Sequence, residues 1–151
     1  RGDSRSLCLH RKGLRGMSDV VIAKAGSIQK CISRAREELD LAGARFAEDY
    51  TRQDAAVMNM TRACEQAIDL ANYIIKQKKL GVPSDSGDSF RLLAQASVIP
   101  GDLAPKLVKM TGFRNIAVHE YQQLDMDIVV SVIQNGSEDL LRFTEIAVGA
   151  V

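Results

Sequence analysis

From Val21 onward the apolar residues fall at Val21, Ala25, Ile28, Ile32, Ala35, Leu39, Ala42 and Phe46, in alternating steps of four and three. A 3.5-residue period held this long predicts one long helix with a narrow packing seam, as in a bundle or a coiled coil. Asp19 is placed to cap its start. A second helix is predicted to begin at Thr51 or Asp54, with a stripe of Ala56, Met60, Ala63, Ala67, Leu70 and Ile74 flanked by Val57, Cys64, Ile68, Ala71 and Ile75. So broad an apolar arc calls for more than one neighbour. Lys76, Lys78 and Lys79 put cations at the carbonyl end of this helix, and Gly81-Val82-Pro83 ends it.

After the polar loop Ser84-Asp85-Ser86-Gly87-Asp88, a short third helix is predicted over about Ser89–Ser97, presenting Phe90, Leu93 and Ala94 on one face. Pro100-Gly101 punctuates the chain, and Asp102 is placed to cap a fourth helix carrying Leu103, Leu107 and Met110, with Gly112 as a candidate break. Past Tyr121 the apolar positions return at Ile128, Val129, Val132 and Ile133, then at Leu140, Leu141, Ile146 and Ala147. Asn135-Gly136-Ser137 could divide this stretch, but a single helix is favoured, because a lone glycine costs about 1 kcal/mol against alanine and packing can offset it. No internal repeat is present. The pattern is that of an all-α antiparallel bundle of about five helices.

Composition narrows this picture. A chain of 151 residues suits one domain, and its three prolines, seven aromatic residues and lack of Trp favour helix over sheet. Charged residues interrupt every apolar run well short of the roughly 18–20 residues of a membrane span, so no membrane association is expected. Residues 1–16 show no period and are rich in Arg, Gly and Ser, ahead of Met17-Ser18-Asp19. They read as a disordered tail, appended or translated from upstream, with 17–151 as a single domain; Asp3 and the absence of amphipathic order count against a transit peptide. Cys8 and His10 lie in that tail and receive no role.

The net charge of +1 is unevenly divided. Five cations and one aspartate in residues 1–16 leave the rest of the chain at a net −3. A globally basic nucleic-acid binder is therefore not indicated, and any RNA contact must rely on a local patch, for which Arg91, Lys106 and Lys109 are candidates. Three widely spaced cysteines, Cys8, Cys31 and Cys64, form no Cys-x-x-Cys pair. They fit reduced thiols in a cytoplasmic protein rather than a zinc site or a disulfide framework, and Cys31 and Cys64 read as small buried hydrophobes.

The candidate chemistry lies between Arg114 and Tyr121, which brings a guanidinium, the body's single imidazole at His119 and a phenol within eight residues. A guanidinium matches a phosphate with two parallel hydrogen bonds, and an imidazole exchanges protons near neutral pH. On one ideal helix, however, Arg114 and Tyr121 are nearly in line while His119 is turned about 140° from Arg114. Either the helix distorts at this end, or a second copy of the chain completes the site. Cleavage of RNA by a ribose 2′-hydroxyl needs a base, an acid and positive charge on the phosphorane, and a two-fold dimer supplies two imidazoles and two guanidiniums. The plainer reading is a surface cluster, with Arg114 paired to Glu120 or Asp125, a capping histidine and a half-buried tyrosine.

The pattern Arg-x-x-x-x-His-x-Tyr resembles the signature of HEPN-domain ribonucleases. As Gly112-Phe113-Arg114-Asn115-Ile116-Ala117-Val118-His119-Glu120-Tyr121 it is similar to the HepT toxins of HepT–MntA toxin–antitoxin pairs. The likeness continues in Arg62-Ala63-Cys64-Glu65-Gln66-Ala67-Ile68-Asp69, Gly81-Val82-Pro83, Asp88-Ser89-Phe90-Arg91-Leu92-Leu93, Val98-Ile99 and Leu103-Ala104. It spans the chain from about Met17 to the end.

This resemblance implies a homodimeric, metal-independent endoribonuclease with paired motifs at the dimer interface and no cofactor. Arg114 would hold the scissile phosphate, His119 would act as general base or acid, and Asn115 would help orient the site. Tyr121 would be where a MntA-type nucleotidyltransferase antitoxin attaches AMP, silencing a type VII-like toxin. Two alternatives remain at this stage. One is a non-catalytic HEPN module that binds nucleotide or positions substrate for a nucleotidyltransferase, against which the full motif argues; the other is a plain helical dimerisation protein.

Overall fold

The structure, a computed structural model, describes residues 2–150, with side chains from Ser18 onward. The apolar seam read from the sequence is the buried face of helix α1 (Gly2–Ala42): Val21, Ala25, Ile28, Ile32 and Ala35 are buried, and Leu39 and Ala42 pack at the edge of the core. Helical backbone runs through the stretch expected to be a tail and passes Met17-Ser18-Asp19 without a break, so Asp19 lies inside α1 and caps nothing. No proline interrupts those residues, and propagating a helix costs far less than starting one. The side chains of residues 1–15, including Cys8 and His10, fall outside those described.

A 3-10 turn at Gly43–Arg45, with Gly43 at φ +55, reverses the chain and seats Phe46 in the core. Helix α2 (Tyr50–Lys78) then returns along α1. Its cap is Asp49, whose side chain accepts from Arg52 N–H at 3.1 Å, not Thr51 or Asp54. Asp49 precedes Ala56, the first residue of the apolar stripe, by about two turns, so the apolar pattern alone placed the start too late. Arg52 crosses back to Glu38 of α1 at 2.8 Å. The breadth of the α2 stripe is explained by its neighbours: α2 packs on α1, on α3 (Ser86–Gln95), on α4 (Leu103–His119) and on α6 (Ser137–Gly149).

Lys79 ends α2 in the left-handed region at φ 54, two residues before the glycine that was expected to do so. Helix α3 begins at Ser86, three residues earlier than predicted, because Asp85 and Asp88 both act at its N-terminus. Asp85 Oδ1 accepts from Asp88 N–H at 2.7 Å, while Asp88 Oδ2 accepts from Ser84 N–H at 2.8 Å. The Phe90 ring of α3 meets Phe143 of α6 edge to face at 5.4 Å in the centre of the core.

Asp102 precedes α4 but makes no side-chain cap. Its carboxylate instead accepts from Arg142 of α6 at 3.0 Å, which ties the start of one helix to the body of another and holds the Asp102 carboxyl below its ordinary range. Gly112 does not break α4. After a 3-10 turn, Tyr121–Gln123, the chain enters α5 (Met126–Ser131), whose N-terminus is capped by Asp125. A π-helical turn, Val132–Gly136, carries α5 into α6 with helical backbone throughout, so the favoured single rod is observed with one widened turn. Ser137, just after that turn, donates its hydroxyl to Ile133 O and accepts from Arg36 of α1 at 2.7 Å. The result is an all-α bundle with no strand among the described residues.

Candidate functional site

The site grows from the last two turns of α4 and the facing side of α2. On α2, Asp54, Met58, Thr61 and Glu65 recur at steps of four, three and four, forming one line beside the buried stripe. On α4, Arg114 and Ala117 face that line. Arg114 Nε donates to Glu65 Oε1 at 3.3 Å, and Arg114 Nη1 donates to Asn115 Oδ1 at 3.2 Å. The guanidinium is thus anchored on one edge, with its side chain 29% exposed and able to reach a ligand. Its ion pair is with Glu65, forty-nine residues away, and not with Glu120 or Asp125 as the surface-cluster reading required.

Tyr121 opens the 3-10 turn after α4, where Glu120 leaves the helix at φ −139. The phenol folds back onto α2 and donates its hydroxyl to Asp54 Oδ1. Burial, reinforced by that hydrogen bond and by the negative charge of Asp54, pushes the phenol up to about 12. Asp54, Val57, Met58, Thr61, Arg62, Glu65, Ala117 and Tyr121 enclose a cleft of about 570 Å³. Arg62 lines it and forms no ion pair among the described residues.

His119 is the last residue of α4 and is exposed. The helix keeps its i to i−4 bonding to the end, with Glu120 N–H donating to Ile116 O at 2.8 Å. A distorted turn between Arg114 and His119 is therefore absent, and the two side chains leave the axis about 140° apart. The structure sets Arg114 and Tyr121 against α2, leaves Asn115 exposed beside Arg114, and sends His119 to another face. That face carries Lys109, Gly112 and Ile116 at helical spacing, and Ile116 is 41% exposed. It borders an open, largely apolar groove of about 870 Å³ between α4 and α5, walled by Phe113, Ile116, Leu124, Ile128 and Val132.

Lys106 and Lys109 line the same groove, whereas Arg91 lies elsewhere beside Asp85 at 3.9 Å. Cys64 is buried under Arg114 and Glu65, and desolvation pushes its thiol up to about 12, so it serves as packing. Cys31 is half-buried at the core margin. Sequence reasoning did not single out Glu65 or Asp54 as partners of the motif. The signal was the polar line at steps of four, three and four along α2, which a wholly apolar reading of that helix passes over.

Comparison with known proteins agrees with this geometry. Residues 28–147 match the family described as Ribonuclease HepT-like. The mRNA nuclease HepT of Shewanella oneidensis is 45% identical over 130 residues, spanning 86% of this chain and 97% of that protein. A crystal structure of a toxin–antitoxin pair with AMP-PNP contains a chain that superposes with a TM-score of 0.81 at 44% identity, over 85% of this chain and 96% of that one. The tri-AMPylated HEPN toxin of Shewanella oneidensis, in complex with MNT antitoxin, gives a TM-score of 0.80 at 44% identity over the same shares. With its helical bundle, its Arg114-to-Tyr121 motif and these matches across most of its length, the chain belongs to the HepT-like ribonuclease family.

Proposed function

We propose that this chain is a toxin ribonuclease whose working domain, residues 17–151, cuts RNA in the cytoplasm at a site shared by two copies. A nucleotidyltransferase antitoxin silences it by placing AMP on Tyr121. One observation carries the reading: α4 is regular through His119, so Arg114 and His119 diverge on one chain, while Ile116, one turn before His119, lines an open apolar groove. A two-fold partner seated across the end of α4, against both the groove side and the Arg114 side of that helix, sets its own His119 toward the first chain's Arg114. Arg114, steadied by Glu65 and Asn115, then holds the scissile phosphate. The His119 imidazole facing it serves as the base for the 2′-hydroxyl proton or the acid for the leaving 5′-oxygen, a reaction that requires no metal.

The antitoxin reading is supported by the relatives described with AMP and an MNT antitoxin, and by the position of Tyr121. A nucleotide on Tyr121 stands over the cleft that contains Glu65, the partner of Arg114. There its bulk and negative charge oppose an incoming RNA phosphate.

Purified chain incubated with labelled RNA in excess EDTA tests the nuclease. The expected products carry 2′,3′-cyclic phosphate ends, and His119→Ala lowers the rate at least about 100-fold. Cleavage by His119→Ala at the parental rate rejects the assignment. Incubation with the nucleotidyltransferase and ATP tests the switch by intact mass: the parent gains AMP and loses RNA cleavage, and Tyr121→Phe gains none.

A further inference from the structure

Tyr121 is held by one contact that the nuclease chemistry does not use. Its hydroxyl donates to Oδ1 of Asp54, a residue near the start of α2 and sixty-seven positions away in sequence. We propose that Asp54 is a catalytic residue of the silencing reaction, the proton acceptor that makes Tyr121 a nucleophile toward a nucleoside triphosphate. The inference rests on Tyr121 being the acceptor of AMP.

The step balances as follows. The Tyr121 oxygen forms a bond to the α-phosphorus of ATP held by the nucleotidyltransferase. Its proton passes to Asp54 Oδ1, and the bond from the α-phosphorus to the bridging oxygen breaks. Pyrophosphate leaves with that electron pair, and Asp54 later returns its proton to solvent.

Three observations support the assignment. First, the phenol is rarely ionised near neutral pH. Held at about 12, it is ionised to roughly one part in 10⁵ at pH 7, so a group that takes its proton during attack raises the reactive fraction. Second, Asp54 is the group in contact with that proton, and the other carboxylate of the cleft, Glu65, is engaged by Arg114. An aspartate accepting a hydroxyl proton during in-line phosphoryl transfer is established chemistry, because the group orients the attacking oxygen and takes the proton late. Third, the pair is reachable. Tyr121 is 39% exposed, Asp54 is exposed, and the cleft beside them opens to solvent with the Arg62 cation in its lining to meet a phosphate.

The test measures single-turnover AMP incorporation by intact mass, with ATP and the nucleotidyltransferase both saturating, on parent, Asp54→Asn, Asp54→Glu and Tyr121→Phe chains. Folding of each is checked by circular dichroism. Asp54→Asn keeps the shape and a hydrogen-bond acceptor but cannot hold the proton. Its rate is expected to fall about 100-fold, with Asp54→Glu recovering at least a tenth of the parental rate. Asp54→Asn within about threefold of the parent overturns the proposal, as does a deficit that vanishes when more nucleotidyltransferase is added, or Asp54→Glu no faster than Asp54→Asn. Tyr121→Phe separates the two readings. If that chain is modified as the parent is, the acceptor assignment has failed; if it is not and Asp54→Asn reacts normally, the role of Asp54 alone has failed.

Discussion

Arg114 and Tyr121 owe their chemical character to single long-range partners. Glu65 takes the Nε donor of the guanidinium and Asn115 one from Nη1, and a half-exposed pair such as Arg114 and Glu65 adds little to stability while restricting where the cation points. Asp54 does the same for Tyr121, with a measurable consequence. The Tyr121 phenol is held above its ordinary value of 10.0, at about 12, so the folded state retains that proton more tightly than the unfolded chain does. The stability gained is therefore complete below pH 10 and is lost as pH rises from 10 to 12. Phenolate absorbance, taken as the difference between the parent and Tyr121→Phe, should titrate at about 12 in the folded protein and near 10 in urea. The motif letters were visible in the sequence, but Asp54 and Glu65 were not visible as partners. They lie forty-nine and more residues away, and helical periodicity says nothing about which side chains of two helices meet.

The helices themselves were largely legible because their buried faces are periodic. The α1 seam and the α2 stripe are buried almost position for position, since an apolar residue at this spacing has nowhere else to go in a bundle. Their ends were less legible. Asp49 and Asp85 cap helices that the apolar pattern starts later, and Asp102, well placed to cap α4, is drawn instead to Arg142. The π turn at Val132–Gly136 has no periodic signature. It arises where α5 and α6 pass close to α4: a Cβ on Gly136 would stand 2.6 Å from Met110 Sδ and 3.2 Å from its Cε. Those atoms are the flexible end of the Met110 side chain, which lines the open groove beside Gly136 and can swing into it. Gly136→Ala should therefore change stability by less than about 1 kcal/mol in urea titrations, the shift of Met110 roughly offsetting the gain in helix propensity.

The molecule as a whole leaves His119 on one face of α4 and Arg114 on another, and in the proposed function a second copy brings the two together. If Arg114 of one chain works with His119 of the other, Arg114→Ala and His119→Ala homodimers are both inert while their mixture rebuilds one intact pair. Mixing the two variants, with exchange driven by mild denaturant and dilution, should restore roughly a quarter of parental RNA cleavage. A mixture as inert as its components would place both residues in a single-chain site.

The chain's own letters determined the all-α class, the faces of α1 and α2, the Arg-x-x-x-x-His-x-Tyr motif and the angle at which Arg114 and His119 part, since each depends on spacing within one helix. Tertiary structure decided the rest. It set α2 against the end of α4, so that Glu65 and Asp54 reach the motif, and it held α4 straight through His119. It also left the groove beside Ile116 open. Those outcomes depend on how separate helices pack, a matter of complementary surfaces that no single period along the chain encodes.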